Sequence, residues 1–122
     1  MGRREEPHLS LFCNDYQNLQ GKKITYIGRA TGTSQSVKID NTYDLYIVVM
    51  SNTDGKTRYT FSIPYNDLVK DGIRYASGFY ANASDHQAAL INASTEALSV
   101  RYMQINGNER TSVSSIDVYG LR

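Results

Sequence analysis

The chain has 122 residues, with 13 Lys and Arg against 12 Asp and Glu, so its formal net charge is +1. This length allows one domain with a single core, and the balanced charge without long basic runs argues against a nucleic-acid partner. The longest purely apolar run, Ile47–Met50, is far too short to cross a bilayer. The lone Cys13 excludes an intrachain disulfide and a cysteine-based metal site, and it is typical of a small buried hydrophobe.

The N-terminal part divides into a charged start and a first group of strands. Residues 1–8 are charged and lack an apolar repeat, so they are predicted to be a leader or linker. Residues 9–122 are predicted to form a single β-sandwich domain. Short apolar segments predict strands at 9–13, 22–29 and 36–40, with polar loops between them.

The middle of the chain predicts a strand hairpin. Residues 43–50 are apolar at nearly every position, which predicts a central strand covered on both faces. Asp54-Gly55 supplies the positive φ angles of a tight turn. The return strand, 57–63, alternates apolar and polar residues and should end at Pro64, which has no N–H group to donate.

The second half predicts a short turn element and four further strands. Residues 66–72 are compatible with one helical turn or a wide turn, and strands are predicted at 73–81, 88–92, 98–105 and 113–121. In the last of these, Ile116 and Val118 alternate with polar residues, as in a half-buried strand that closes a sheet. About eight strands without an amphipathic helix predict an all-β fold, an antiparallel, jelly-roll-like β-sandwich.

No constellation in the sequence predicts catalysis or metal binding. His8 lies in the leader and His86 in a Ser-Asp-His-Gln segment, and neither has an ordered nucleophile or acidic partner. The acidic residues fall singly in turns, without the facing pair of a glycosidase or the spacing of a calcium loop. We therefore predict a protein that is not an enzyme and has no catalytic residue, no metal site and no cofactor.

The order of strands and the C-terminal motif resemble a known family. The last eight residues, Ser-Ile-Asp-Val-Tyr-Gly-Leu-Arg, are similar to the Ile-x-x-Ile/Val-Tyr-Gly-Ile/Leu-Lys/Arg terminus of many C-terminal tip domains of bacteriophage and prophage tail-fibre proteins. The resemblance covers roughly residues 20–122, although the N-terminal part is short and lacks a fibrous repeat. It implies a homotrimer in the virion tail that recognises a host cell-surface glycan or protein, without insertion into a membrane. The family has no universal binding residue.

Ligand contacts in such a tip domain should come from turns, which a rigid sheet can present to a variable surface. Polar clusters follow Tyr80 and Ile105, and each cluster is predicted to form a loop longer than the two residues of a tight hairpin turn. Tyr80 offers a ring face that can stack on a sugar, although ordinary solvated turns are the alternative. The predicted ligand-binding residues are Tyr80, Asn82, Asp85, His86, Gln87, Asn106, Asn108 and Arg110.

Aromatic residues on both faces of strands 73–81 and 98–105 predict a subunit interface. Tyr75, Tyr80, Tyr102 and Met103 are the expected contributors, because one small sandwich has a single core face to fill. Three other functions stay open: a freestanding lectin-like carbohydrate-binding module, a structural virion domain such as a decoration or baseplate protein, and a glycan hydrolase.

Overall fold

The computed structural model describes residues 24–52, 57–70 and 73–122, and β-strands make up most of these residues. The predicted leader, the predicted strand 9–13 with Cys13, and the turn at Asp54-Gly55 lie outside these residues. The strands are β1 (Ile24–Thr31), β2 (Val37–Lys38), β3 (Leu45–Ser51), β4 (Arg58–Pro64), β5 (Tyr75–Asn82), β6 (Asp85–Ala93), β7 (Ala97–Ile105), β8 (Asn108–Glu109) and β9 (Ser115–Leu121). A four-residue helix, α1 (Tyr65–Leu68), follows β4, and a 3₁₀ turn spans Thr111–Val113.

The strands form two antiparallel sheets that pack face to face. The first sheet has the order β1-β9-β3-β4, and the second has the order β2-β7-β6-β5 with β8 paired to β7. Pro64 ends β4 as expected, and the chain then crosses to the second sheet through α1. The predicted all-β sandwich is therefore confirmed, with β8 as the strand that the sequence pattern did not predict.

The core lies between the sheets and is built by alternation along each strand. β3 occupies the predicted interior position between β9 and β4. Its inward side chains, Tyr46, Val48 and Met50, are at most 1% exposed, whereas Ile47 and Val49 on the other face are only half-buried. The expectation that β3 is covered on both faces was wrong, because its outer face belongs to the outer surface of a two-layer sandwich.

The C-terminal strand β9 is the second interior strand of the first sheet. It pairs with β1 on one side and with β3 on the other. Ile116 and Val118 are fully buried, as the alternation predicts. On the outer face, Tyr26 donates a hydrogen bond of 2.9 Å to Asp117 and packs edge-on against Tyr119 at 5.3 Å between ring centroids.

Three tyrosines close one end of the core, which we call the tyrosine end. The ring centroid of Tyr46 lies 5.8 Å from that of Tyr43 and 6.4 Å from that of Tyr65. The Tyr46 hydroxyl donates to the backbone oxygen of Asp40, and burial is the main cause that raises the pKa of Tyr46. Tyr43 packs directly over Gly120, where the backbone has no side chain to separate them.

Candidate functional site

The structure brings the two predicted ligand-binding segments together at one end of the second sheet. The β5–β6 turn is Ala83-Ser84, and the β7–β8 turn is Asn106-Gly107. β6 lies between β5 and β7, and its register places Gln87 opposite Ile105. Both turns therefore lie at the same end of the strands in this sheet, which we call the loop end.

Two hydrogen bonds join the turns. The backbone N–H of His86 donates to Oδ1 of Asn106 at 2.8 Å, and the backbone N–H of Asn106 donates to the carbonyl oxygen of His86 at 2.8 Å. Asn106 and Gly107 have φ angles of 51° and 83°, the left-handed values that a two-residue hairpin turn requires. The expectation of longer loops was wrong, since Asn106-Gly107 is a tight turn whose return strand is β8.

The first turn is equally short. Asn82 and Asp85 pair at the ends of β5 and β6 after a register shift. The Asn82 side-chain oxygen accepts bonds of 2.9 Å from both the N–H and the hydroxyl of Ser84. The turn is therefore held by its own polar groups rather than by packing, and both of its flanking residues stay exposed.

Tyr80 is the most exposed large apolar side chain among the described residues, at 71%. It pairs across the strands with His86, and the centroids of the two rings are 5.2 Å apart. Nδ1 of His86 lies 3.2 Å from the backbone oxygen of Asn82. The ring of Tyr80 is thus supported by the ring of His86, while most of its surface faces solvent.

The remaining predicted residues are placed differently. Gln87 is half-buried and lies between the sheets. Its Oε1 accepts a 2.7 Å hydrogen bond from the hydroxyl of Tyr59 in β4, which ties the loop end to the first sheet. Asn108 is exposed in β8. Arg110 is exposed and immediately precedes the 3₁₀ turn, and its backbone N–H donates to the carbonyl oxygen of Met103 at 2.7 Å.

The predicted interface residues also separate into two groups. Met103 is fully buried in the core, so its expected role in a subunit contact was wrong. Tyr75 is half-buried and donates a 3.1 Å hydrogen bond to Asp67, and burial with this bond raises the pKa of Tyr75 to about 12. Tyr80 and Tyr102 remain accessible, with exposed fractions of 71% and 37%.

Concave surfaces occur away from the predicted turns. Grooves of about 360 Å³ and about 420 Å³ flank Tyr43 at the tyrosine end. A third, of about 230 Å³, includes Arg74 and Arg101. The sequence offered no signal for these grooves, because their residues are distant in the chain and meet only through strand pairing.

Within 24–52, 57–70 and 73–122, no three His, Cys, Asp or Glu side chains come together as a metal site. In the same ranges, no helix is long and apolar enough to cross a membrane.

Similarity to known proteins assigns no role to the loop end. The chain matches no protein-family model, no curated protein and no solved structure.

Proposed function

We propose that this protein is a non-enzymatic tip domain of a phage tail fibre, which attaches the virion to a glycan or protein on the host cell surface. The observation that supports this best is the loop end, where two polar turns are joined through His86 and Asn106 beside the exposed ring of Tyr80. A surface of this kind combines a fixed scaffold with side chains that can vary without disturbing the core.

The chemistry of the loop end suits a sugar. The ring of Tyr80 offers an apolar face for sugar C–H groups, and a tyrosine loses little conformational entropy when it makes a contact. Asn82, Asn108 and Arg110 are exposed and carry amide or guanidinium donors for hydroxyl groups. One such site binds weakly, and several copies on one particle raise the avidity.

Binding to host cells or to immobilised surface glycans tests this site. We expect Tyr80→Ala, His86→Ala and Arg110→Ala each to weaken binding about fivefold or more, as truncation of a residue central to an interface does. Asn66→Ala is the control, because Asn66 is exposed in α1 at the tyrosine end. If all three variants fold and bind like the wild type, the loop end is not the binding site.

Strand β5 supports the proposed self-association. It is an edge strand with seven of its eight residues exposed, and it carries neither a charge nor a proline. Among the described strands, the other edges are protected in ways that prevent strand addition: β1 has Arg29 and a bulge, β2 and β8 have two residues each, and β4 has Arg58 and Pro64. β5 is therefore the edge best suited to contact another copy.

We expect the protein to be a homotrimer in which β5 contributes to the subunit contact. Phe79 is 49% exposed, so Phe79→Lys should convert the trimer to a monomer through the burial of an unpaired charge. Thr60→Lys, at an exposed position of β4, should leave the mass in light scattering unchanged. A wild-type protein that stays monomeric at high concentration contradicts the proposed trimer. A monomer that binds glycans favours the alternative function, a freestanding lectin-like module.

A further inference from the structure

The groove of about 230 Å³ lies on the second sheet, toward the end opposite Tyr80. The pairing of β5, β6 and β7 brings its residues together. Tyr75 lies opposite Ile91, so Arg74, the residue before β5, lies beside Asn92 of β6. Asn92 in turn pairs with Ser99 of β7. Its described lining includes Arg74, Leu90, Asn92 and Arg101.

A β-bulge presents Arg101 to this groove. Leu90 pairs with Tyr102 and Ile91 pairs with Val100, so Arg101 is the extra residue of β7 and has no partner on β6. Bulges change the direction of a side chain locally and are frequent beside binding sites. Here the bulge leaves Arg101 exposed at the groove while Val100 stays in the core.

Among the residues that the structure describes, the charges of the groove are unbalanced. Arg74 and Arg101 both line it, and no described Asp or Glu does. Within residues 24–52, 57–70 and 73–122, neither arginine side chain makes a hydrogen bond or an ion pair. By contrast, Arg29 lies 3.7 Å from Asp117, and Lys70 lies 3.8 Å from Asp67. Two like charges at one groove repel each other unless an anion lies between them.

We propose that this groove binds the anionic group of an acidic glycan, a phosphate or a carboxylate carried on a sugar. Guanidinium groups match the planar geometry of both anions and donate two parallel hydrogen bonds to each. Asn92 and Leu90 also line the groove, on β6 between β5 and β7, and they add an amide for a neighbouring hydroxyl and an apolar contact surface. The groove shares no residue with the loop end and lies toward the other end of the sheet.

Titration of the wild-type protein by two-dimensional NMR tests the proposal. Glucose 6-phosphate and glucuronate are the two anionic probes, and glucose is the neutral one. We expect saturable shifts of the backbone signals of Arg74, Asn92 and Arg101 with one or both anions, weakened by added salt, and none with glucose. The stronger of the two anionic probes identifies phosphate or carboxylate as the preferred group.

Matched variants assign the shifts to the arginines. Arg74→Gln and Arg101→Gln should each weaken binding about fivefold, the upper range for an exposed ion pair, and the double variant should abolish it. Arg29→Gln is the control, because it removes one arginine of the other sheet. Tyr80→Ala should leave the affinity of the groove for the anion unchanged. Failure of the loop-end proposal and failure of the groove proposal are therefore distinguishable.

The proposal is overturned if neither anion gives saturable shifts at the groove, or if glucose gives the same shifts. It is also overturned if the double variant, shown to be folded by its spectrum, binds as the wild type does. An equal loss in Arg29→Gln contradicts it as well, because the effect then reflects the total charge of the protein.

Discussion

Gly120→Ala is expected to destabilise the domain by about 3 kcal/mol, the upper part of the range for overpacking a well-filled core. A Cβ atom at this position lies 2.5, 2.6 and 2.7 Å from three ring carbons of Tyr43. The Tyr43 ring cannot move away from the new Cβ atom freely, because it packs against Tyr46, which is 1% exposed. Urea unfolding followed by circular dichroism measures the loss.

Two further variants show whether Tyr43 causes the loss. In Gly28→Ala, the new Cβ atom meets Val37 at 3.6 Å, an ordinary van der Waals distance, so this variant should be much less affected. Tyr43→Ala removes the obstructing ring, so the double variant with Gly120→Ala should lose less stability than the sum of the two single changes. Strict additivity, or a Gly120→Ala protein as stable as the wild type, contradicts this account.

Ile116→Ala is expected to lower the free energy of unfolding by about 3 kcal/mol, within the range for truncating a fully buried aliphatic side chain. Ile116 is fully buried in β9, which joins β1 to β3. The cavity left by the truncation therefore opens where the first sheet packs on the second. The same unfolding measurement tests this prediction.

Ile24→Ala is the matched control, because it changes the same residue type in the same sheet. Ile24 is 49% exposed in β1, so its truncation should cost well under half as much. Equal losses at both positions mean that β9 is not an interior strand and that the C-terminal motif does not form part of the core.

Together, these predictions give a physical reason for the C-terminal motif on which the resemblance depends. Its alternating apolar residues fill the core, its glycine admits the ring of Tyr43, and Tyr119 packs on the outer face against Tyr26. These roles concern folding. Recognition of a host surface is what we propose for the loop end, whose exposed residues can change without affecting this packing.

Part of the candidate site was predictable and part was not. The polar segments after Tyr80 and Ile105 were identified from composition, since such clusters interrupt strands. Their adjacency was not, because it depends on β6 lying between β5 and β7. Asn106-Gly107 is a known hairpin signal, but the sequence does not reveal its return strand, because the two residues of β8 are too few to show alternation.

The sequence by itself determined the fold class and most strand positions, because alternation with a period of two and turn residues act locally. It also determined that β9 would be a half-buried strand. Only the tertiary structure decided that β3 has one covered face, that Gln87 points between the sheets, and that Arg74 and Arg101 meet at one groove. Each of these depends on which strands become neighbours, and that order follows from packing across the whole core rather than from any local pattern.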